Sequence, residues 1–335
     1  ELSAKNVNVG GNADITAGSN LTANDVSVGG NLNAKAQNIR VSNVTGKGNA
    51  DLTAEQNATL GGKTDVGGNL TAQVGNDLIA VGAVITGKEL IANVGNDLAV
   101  NDLVSTGGNA SLTVGRNVTL DGALITGGDF TAKVGNDFTA NGALTTGGNF
   151  TANVGKDLTA NAAVLLHGRA TIDAQNVNFN ADFASDKNLT ITAKNNIFTK
   201  EGANLYSKSD GRLKAHDANL DGDVRADGTL TIETDDKLTA KNITAGSAAA
   251  LNAGTALTAQ NITAGGGLNA KAKNITVSNA GAGGNAVLNA ETALMAQNVT
   301  AGGNAALKAG AELSAKNVNV GGNADITAGS NLTAN

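Results

Sequence analysis

The chain repeats a unit of 19 or 20 residues along almost its whole length. Each unit opens near GGN and continues with apolar residues that alternate with polar ones, interrupted by short turns. Clear copies are GGNADITAGSNLTANDVSV (10–28), GGNLTAQVGNDLIAVGAVIT (67–86), GGDFTAKVGNDFTANGALTT (127–146) and GGNAALKAGAELSAKNVNV (302–320). Because a unit this short cannot bury its own apolar face, successive units must stack on one another. The repeat therefore predicts a solenoid.

The spacing of apolar residues within a unit indicates strands. In the unit at 10–28, three alternating stretches follow one another at 13–17, 21–23 and 26–28, separated by turns. Alternation by two is typical of a strand with one buried face, whereas a helical solenoid needs apolar spacings of three and four. We therefore predict an all-β fold, a parallel β-helix with three short strands per 19–20-residue coil. It is expected to run as one continuous β-helix over residues 1–335.

Composition limits what can fill the coils. The chain has 45 Gly, no Pro, Cys or Trp, and only 2% aromatic residues, so its apolar side chains are mostly small and aliphatic. Such residues suit a narrow core in which equivalent positions stack. Asn76 and Asn96 are expected to stack at a turn with their side-chain amides hydrogen bonded along the stack. Two internal columns are predicted, formed by Leu70, Leu90, Ala110, Phe130 and Phe150, and by Leu78, Leu98, Val118, Phe138 and Leu158.

Charge and motifs exclude several function classes. The net charge is −6, only 16% of residues are charged, and Lys and Arg are not clustered, which argues against a nucleic-acid surface. The GGN turns lack the Gly and the Asp that follow G-G-x in the calcium-binding nonapeptide repeat G-G-x-G-x-D, and their period is not nine. A phosphate-binding G-x-x-x-x-G-K-[ST] loop is also absent from the sequence. We predict no cofactor and no metal site.

The repeat becomes irregular at about 186–226. Coil starts are assigned to His167, Asp186, Asp210 and Asp227, which gives spacings of 19, 24 and 17 residues. The excess is expected to leave the wall as a loop, because loops and bulges absorb extra residues while strand register continues.

This stretch also holds the candidate ligand residues Asp217, Asp221, Asp223 and Arg225. Carboxylates beside basic groups are what a sugar-binding or polysaccharide-cleaving site needs. The alternative is a solvated corner built from Gly-Asp turns, and no long insertion builds a cleft here. We therefore predict no catalytic residue and no enzyme activity.

The units resemble the haemagglutinin-type repeats of large exoproteins from Gram-negative two-partner secretion systems. The resemblance rests on GGN, V-G-N-D-L and L-T-A-x-N at fixed offsets, covers essentially the whole chain and weakens at about 186–226. Filamentous-haemagglutinin adhesins and contact-dependent inhibition proteins carry such repeats. The resemblance implies a right-handed parallel β-helix that is exported through an outer-membrane partner. It also implies a reason for the absence of Cys, since a disulfide would obstruct threading.

The expected function is that of a structural stalk in a secreted or cell-surface adhesin-like exoprotein. Its partners would be the outer-membrane transporter and a host or neighbouring-cell receptor or glycan. The alternative is a β-helical glycan-binding or polysaccharide-cleaving protein with its site near 180–228. Residues 1–24 recur unchanged at 312–335. We expect the chain to be an excerpt whose parent continues in tandem units of about 311 residues, a period set by the Glu1-to-Glu312 offset.

Overall fold

A computed structural model describes residues 1–334. The residues it describes form strands and turns with no helix, in a parallel β-solenoid of about 18 turns whose coils are about 19 residues long. The chain divides into two compact units, Glu1–Gly168 and Arg169–Asn335. The predicted all-β solenoid is confirmed, and the prediction of one continuous β-helix over 1–335 stays a prediction.

Short strands are the majority in the first unit. Its strands are β1 (Leu2–Val9), β2 (Ala13–Thr16), β3 (Asn20–Val28), β4 (Leu32–Ala36), β5 (Asn38–Gly46), β6 (Ala50–Ala54), β7 (Ala58–Leu60), β8 (Thr64–Val66), β9 (Leu70–Val74), β10 (Leu78–Ala80), β11 (Val84–Thr86), β12 (Leu90–Val94), β13 (Leu98–Val100), β14 (Val104–Thr106), β15 (Ala110–Val114), β16 (Val118–Leu120), β17 (Leu124–Thr126), β18 (Phe130–Val134), β19 (Phe138–Ala140), β20 (Leu144–Thr146), β21 (Phe150–Val154), β22 (Asp157–Ala160) and β23 (Val164–Leu166).

Longer strands are common in the second unit. Its strands are β24 (Ala170–Phe179), β25 (Phe183–Ser185), β26 (Leu189–Thr199), β27 (Leu205–Ser207), β28 (Gly211–Ala215), β29 (Asp217–Ala226), β30 (Leu230–Thr234), β31 (Lys237–Ala245), β32 (Ala249–Ala253), β33 (Ala256–Ala264), β34 (Leu268–Ala282), β35 (Ala286–Ala301), β36 (Ala305–Ala309), β37 (Glu312–Ala315), β38 (Val318–Val320), β39 (Ala324–Ala328) and β40 (Asn331–Ala334).

One turn of the first unit shows the plan of every coil. β12 belongs to the first face, β13 to the second and β14 to the third, and each pairs in parallel with its equivalents one turn before and one turn after. Corner 1 (95–97) joins the first face to the second, corner 2 (101–103) joins the second to the third, and corner 3 (107–109) joins the third to the next first face. The three predicted strands per coil are therefore present, and in the second unit β34 and β35 continue through the corners.

The core is built from columns of equivalent side chains. Leu70, Leu90, Ala110, Phe130 and Phe150 pair in register along the first face. Every member of this column, and of the second-face column from Leu78 to Leu158, is buried. The Phe130 and Phe150 rings stack with centroids 5.4 Å apart. Both predicted columns are confirmed, because the strict 20-residue spacing brings like positions together.

The assigned coil lengths in the irregular stretch are wrong. Ala170 pairs with Leu189, Leu189 with Gly211 and Gly211 with Leu230, so the spacings are 19, 22 and 19 rather than 19, 24 and 17. The longest turn gains one residue at a register shift in β26 and two in the corner-2 loop at 200–204. The expected loop is therefore present. The error arose because this stretch lacks the GGN signal that marks corner 3 elsewhere.

Asn76 and Asn96 stack at corner 1, as expected, but the bond between them was misassigned. The Asn96 N–H donates to the Asn76 main-chain carbonyl at 2.9 Å. The hydrogen-bonding side chains occupy neighbouring positions, which are described below. The identical end segments reach Asn335, which lies outside the described residues.

Candidate functional site

The GGN signature at corner 3 joins one turn to the next. A Cβ on Gly107 would lie 2.2 Å from the carbonyl oxygen of Gly87 in the preceding turn, so only Gly allows this close approach. The Asn that follows uses its side chain as an acceptor. Asn31 Oδ1 accepts the Asn49 N–H at 2.9 Å, and Asn49 Oδ1 accepts the Asn69 N–H at 2.9 Å. These residues therefore have a structural role that is repeated from turn to turn.

The V-G-N-D signature joins one turn to the next at corner 1. A Cβ on Gly95 would lie 1.9 Å from the Gly75 carbonyl oxygen. Asp77 Oδ1 accepts the Asp97 N–H at 3.2 Å, and Asp97 Oδ1 accepts the Asn117 N–H at 3.1 Å. A carboxylate or an amide oxygen can accept this hydrogen bond, which explains why both Asp and Asn occur at this position.

Corner 2 carries a ladder of side-chain amides in the second unit. Each Asn donates its Nδ2 to the Oδ1 of the residue one turn earlier, at 2.6 Å in four steps and 2.9 Å in the last. The ladder begins at a carboxylate, which accepts hydrogen bonds but cannot donate them. We call this set the corner-2 ladder. Its members are Asp223, Asn242, Asn261, Asn279, Asn298 and Asn317.

The candidate residue Asp217 lies at corner 1, at the start of β29. Its Oδ1 accepts the Lys237 N–H at 2.9 Å, in the same way as Asp77 holds the following turn. Its Oδ2 is 4.0 Å from His216 Nε2. Asp221 lies four residues after Asp217 along the strand, a distance of about 13 Å at 3.3 Å per residue. Asp217 is therefore not part of the same cluster as the other candidates.

Asp221 and Asp223 lie at corner 2. Asp221 Oδ2 accepts a hydrogen bond from Asn219 Nδ2 at 3.2 Å. Asp223 Oδ1 accepts Asn242 Nδ2 at 2.6 Å, and the Asp223 N–H donates to Asn204 Oδ1 at 3.3 Å. Asp221 and Asp223 therefore lie at the same corner, and Asp223 is the first member of the corner-2 ladder.

Arg225 lies on the outside of the third face and contacts Tyr206 of the preceding turn and Asp227 at the corner that follows. Its Nε and Nη2 donate to Asp227 Oδ1 at 2.9 and 2.7 Å, and its guanidinium lies 5.5 Å from the Tyr206 ring centre. The Tyr206 hydroxyl donates to Asp227 Oδ2. Hydrogen bonds from Tyr206 and Arg225 lower the pKa of the Asp227 carboxyl, and the bond to Asp227 raises the pKa of Tyr206. The charge of Arg225 is therefore balanced within this cluster.

The loop at 200–204 contributes Glu201 to a groove that the candidate Asp221 also lines. Gly202 has a φ of 81°, in the left-handed region that favours Gly. Glu201 Oε1 lies 3.1 Å from Lys241 Nζ, which is two turns farther along the chain. The groove has a volume of about 550 Å³, and its lining includes Glu201, Asp221, Thr239, Lys241, Thr258 and Gln260.

Aromatic side chains contribute little to this surface. Phe130, Phe138 and Phe150 are buried, as predicted for core residues, and Phe179 and Phe183 are each 1% exposed. Tyr206 is half-buried on the third face, beneath Arg225. The rings that a sugar can reach are therefore those of Tyr206 and of Phe198, which is also half-buried and lines a separate groove with Asp217 and Lys237.

Sequence reasoning missed one group of side chains at corner 1. His216, Asp217 and Asp236 offer ligand atoms that all lie within 4.8 Å of one another. His216 and Asp236 are 20 residues apart, which is one coil, and the Asp236 N–H donates to the His216 carbonyl at 2.8 Å. This one-coil spacing between His216 and Asp236 is the sequence signal that could have indicated their proximity.

No protein-family model, curated protein or solved structure matches the chain. Over residues 1–334, no helix is long and apolar enough to cross a membrane. The resemblance to haemagglutinin-type repeats therefore remains an interpretation of the sequence motifs, and the function has to be argued from geometry.

Proposed function

We propose that this chain is a structural stalk segment of a secreted or cell-surface exoprotein, in which it spaces a binding or effector region away from the cell. The observation that carries the proposal is that the recurring motifs serve stacking. The Gly of GGN and V-G-N-D permit close approach, and the Asn and Asp hold the next turn through side-chain oxygens. Residues used in this way set length and rigidity, which are the properties a spacer needs.

The resemblance to haemagglutinin-type repeats supports the location and the export route. It suggests an outer-membrane partner as the transporter, and a receptor or glycan as the target of the parent protein. The chain has no Cys, so no disulfide would obstruct passage in an extended form. Secretion, surface location and an adhesin or toxin-delivery role are parts of this proposal.

Insertion of one coil tests the spacer function directly. Because the chain has no Cys, spin labels can be attached at Asp51→Cys and Thr151→Cys alone. These residues are five register steps apart along the first face of the first unit. At about 4.8 Å per step, we expect about 24 Å between their Cα atoms, measured by pulsed electron resonance.

Duplication of residues 107–126 should add one step, about 4.8 Å, with the far-ultraviolet circular dichroism per residue unchanged. Duplication of only 107–116 is the matched control, because half a coil cannot keep the register. An unchanged distance after the full-coil duplication, or loss of strand signal, would contradict a modular spacer.

A glycan-binding role is the second candidate, and the groove to which the loop at 200–204 contributes favours it. Hydroxyl, amide, carboxylate and ammonium groups line this groove, which suits a polyhydroxylated ligand. A glycan array probed with the parent chain and with a Glu201/Asp221/Lys241 triple alanine variant tests this role, because these three side chains line the groove. We expect a glycan bound by the parent to be lost by the variant; binding that survives would remove this patch as the site.

A further inference from the structure

His216, Asp217 and Asp236 form a compact group at corner 1 of two successive turns. Their ligand atoms lie within 4.8 Å of one another, and Asp217 Oδ2 is 4.0 Å from His216 Nε2. Asp236 comes from the next coil, where its main chain is hydrogen bonded to that of His216 at 2.8 Å. The group therefore combines an imidazole with two carboxylates across a coil boundary.

Each carboxylate is held in place by one of its oxygens. Asp217 Oδ1 accepts the Lys237 N–H at 2.9 Å, and Asp236 Oδ1 accepts the Thr255 hydroxyl. The partners that hold these oxygens come from the following turn. This arrangement resembles the outer contacts that orient the ligands of metal sites, since a carboxylate fixed at one oxygen presents the other in a defined direction.

One cation already lies near the group. Lys237 Nζ is 3.9 Å from Asp236 Oδ2, and its side chain is 65% exposed. An exposed pair at this distance contributes little, because water screens the charges and the flexible side chain loses entropy when it is held. An ion that binds both carboxylates and the imidazole can therefore displace the ammonium at small cost.

The mixture of ligand types indicates the class of ion. Zn²⁺ and its first-row neighbours bind imidazole nitrogen together with carboxylate oxygen, whereas Mg²⁺ and Ca²⁺ prefer oxygen ligands alone. With bonds of about 2.0–2.2 Å, two ligands on one tetrahedral ion are about 3.4 Å apart. The His216 side chain is 55% exposed, so its imidazole can rotate toward the held carboxylates to reach this spacing.

We propose that His216, Asp217 and Asp236 bind one divalent first-row transition-metal ion, with water completing its coordination. The ion would clamp the coil that carries His216 to the coil that carries Asp236. This inference is independent of the proposed stalk function, since a spacer with or without the clamp keeps its length.

Titration calorimetry of the 335-residue chain with ZnCl₂ tests the site. We expect saturable binding of one Zn²⁺ per chain, and a thermal unfolding midpoint that rises with Zn²⁺ because the ion binds the folded chain. His216→Ala and Asp236→Asn should each weaken Zn²⁺ binding at least tenfold and abolish the rise in the midpoint. MgCl₂ at the same concentrations should give neither effect.

His167→Ala is the matched control, because His167 is the other histidine of the chain and is also exposed. This variant should bind Zn²⁺ as the parent does. Circular dichroism of each variant without metal confirms that its strands are intact. Equal Zn²⁺ affinity in the parent and in His216→Ala, or no saturable binding in the parent, would overturn the proposal.

Discussion

The residues that recur in the regular coils are those that the corners require. Gly95 and Gly107 allow main chains of adjacent turns to approach, and Asn49 and Asp77 supply an acceptor for the next turn. Sequence alone predicted that Asn side chains bond along the stack, but it assigned this role to Asn76, whose hydrogen bond to the next turn uses its main chain. Composition identifies such residues, whereas the direction of each side chain depends on corner geometry.

Polar side chains inside the wall are also satisfied in a regular way. Thr86, Thr106, Thr126 and Thr146 are buried at the end of the third face, and each hydroxyl donates to the carbonyl two residues later. Thr234 differs, because its Oγ1 is buried without a hydrogen-bond partner among the described residues. A buried hydroxyl without a partner costs about 1–3 kcal/mol.

Thr234→Val should therefore stabilise the second unit by about 1 kcal/mol, because Val keeps the shape of Thr and removes the unsatisfied hydroxyl. The change is measured as the shift of the urea unfolding midpoint. Thr146→Val is the matched control. It removes a buried hydroxyl that donates to the Gly148 carbonyl at 2.9 Å, so it should destabilise the chain by about 1 kcal/mol. Equal effects of the two substitutions would show that hydrogen bonding does not decide the outcome.

At the scale of the element, the corner-2 ladder shows what sequence can and cannot predict. Equivalent Asn residues at 18- or 19-residue spacing were visible in the repeat. The pairing of donor and acceptor atoms between these residues could not be predicted, because it depends on which way each amide points and on the Asp at the first step. Asp223 was a candidate ligand residue in sequence, and the structure places it as the acceptor that begins this ladder.

Asn261→Asp should weaken the ladder, because the new carboxylate cannot donate to Asn242 Oδ1, which now accepts a bond of 2.6 Å. We expect a loss of about 1–2 kcal/mol in the free energy of unfolding, measured by urea denaturation at pH 7. Asp223→Asn is the control, since the first position only has to accept, and its effect should stay within about 0.5 kcal/mol. A larger loss from Asp223→Asn than from Asn261→Asp would contradict this direction of bonding.

For the whole molecule, the fold was more predictable than the sites. The strict 20-residue period predicted that Leu90 and Phe130 lie in one column, because residues at this spacing occupy equivalent positions in successive coils. Where periodicity failed, at 186–226, coil lengths were assigned wrongly. The candidate sites were predicted less accurately than the fold, because a site combines residues of different turns. The proximity of Asp217 and Asp236 can be predicted only when the length of the coil between them is known.

The side-chain hydrogen bonds that recur at the three corners share one direction, so the two ends of a stack of coils present different hydrogen-bonding groups. Asn31 accepts from Asn49, Asp77 accepts from Asp97, and Asp223 accepts from Asn242, so in these recurring bonds the earlier turn supplies the side-chain acceptor. The bonds from Asn38 to Gln56 and from Tyr206 to Asp227 run the other way. A partly formed stack that grows from its amino-terminal end therefore presents ready oxygen atoms to each arriving turn. In growth from the carboxy-terminal end, each arriving turn would instead supply the acceptors for donors that are already in place. The same bonds that hold the finished wall thus make its folded edge a template for the next coil.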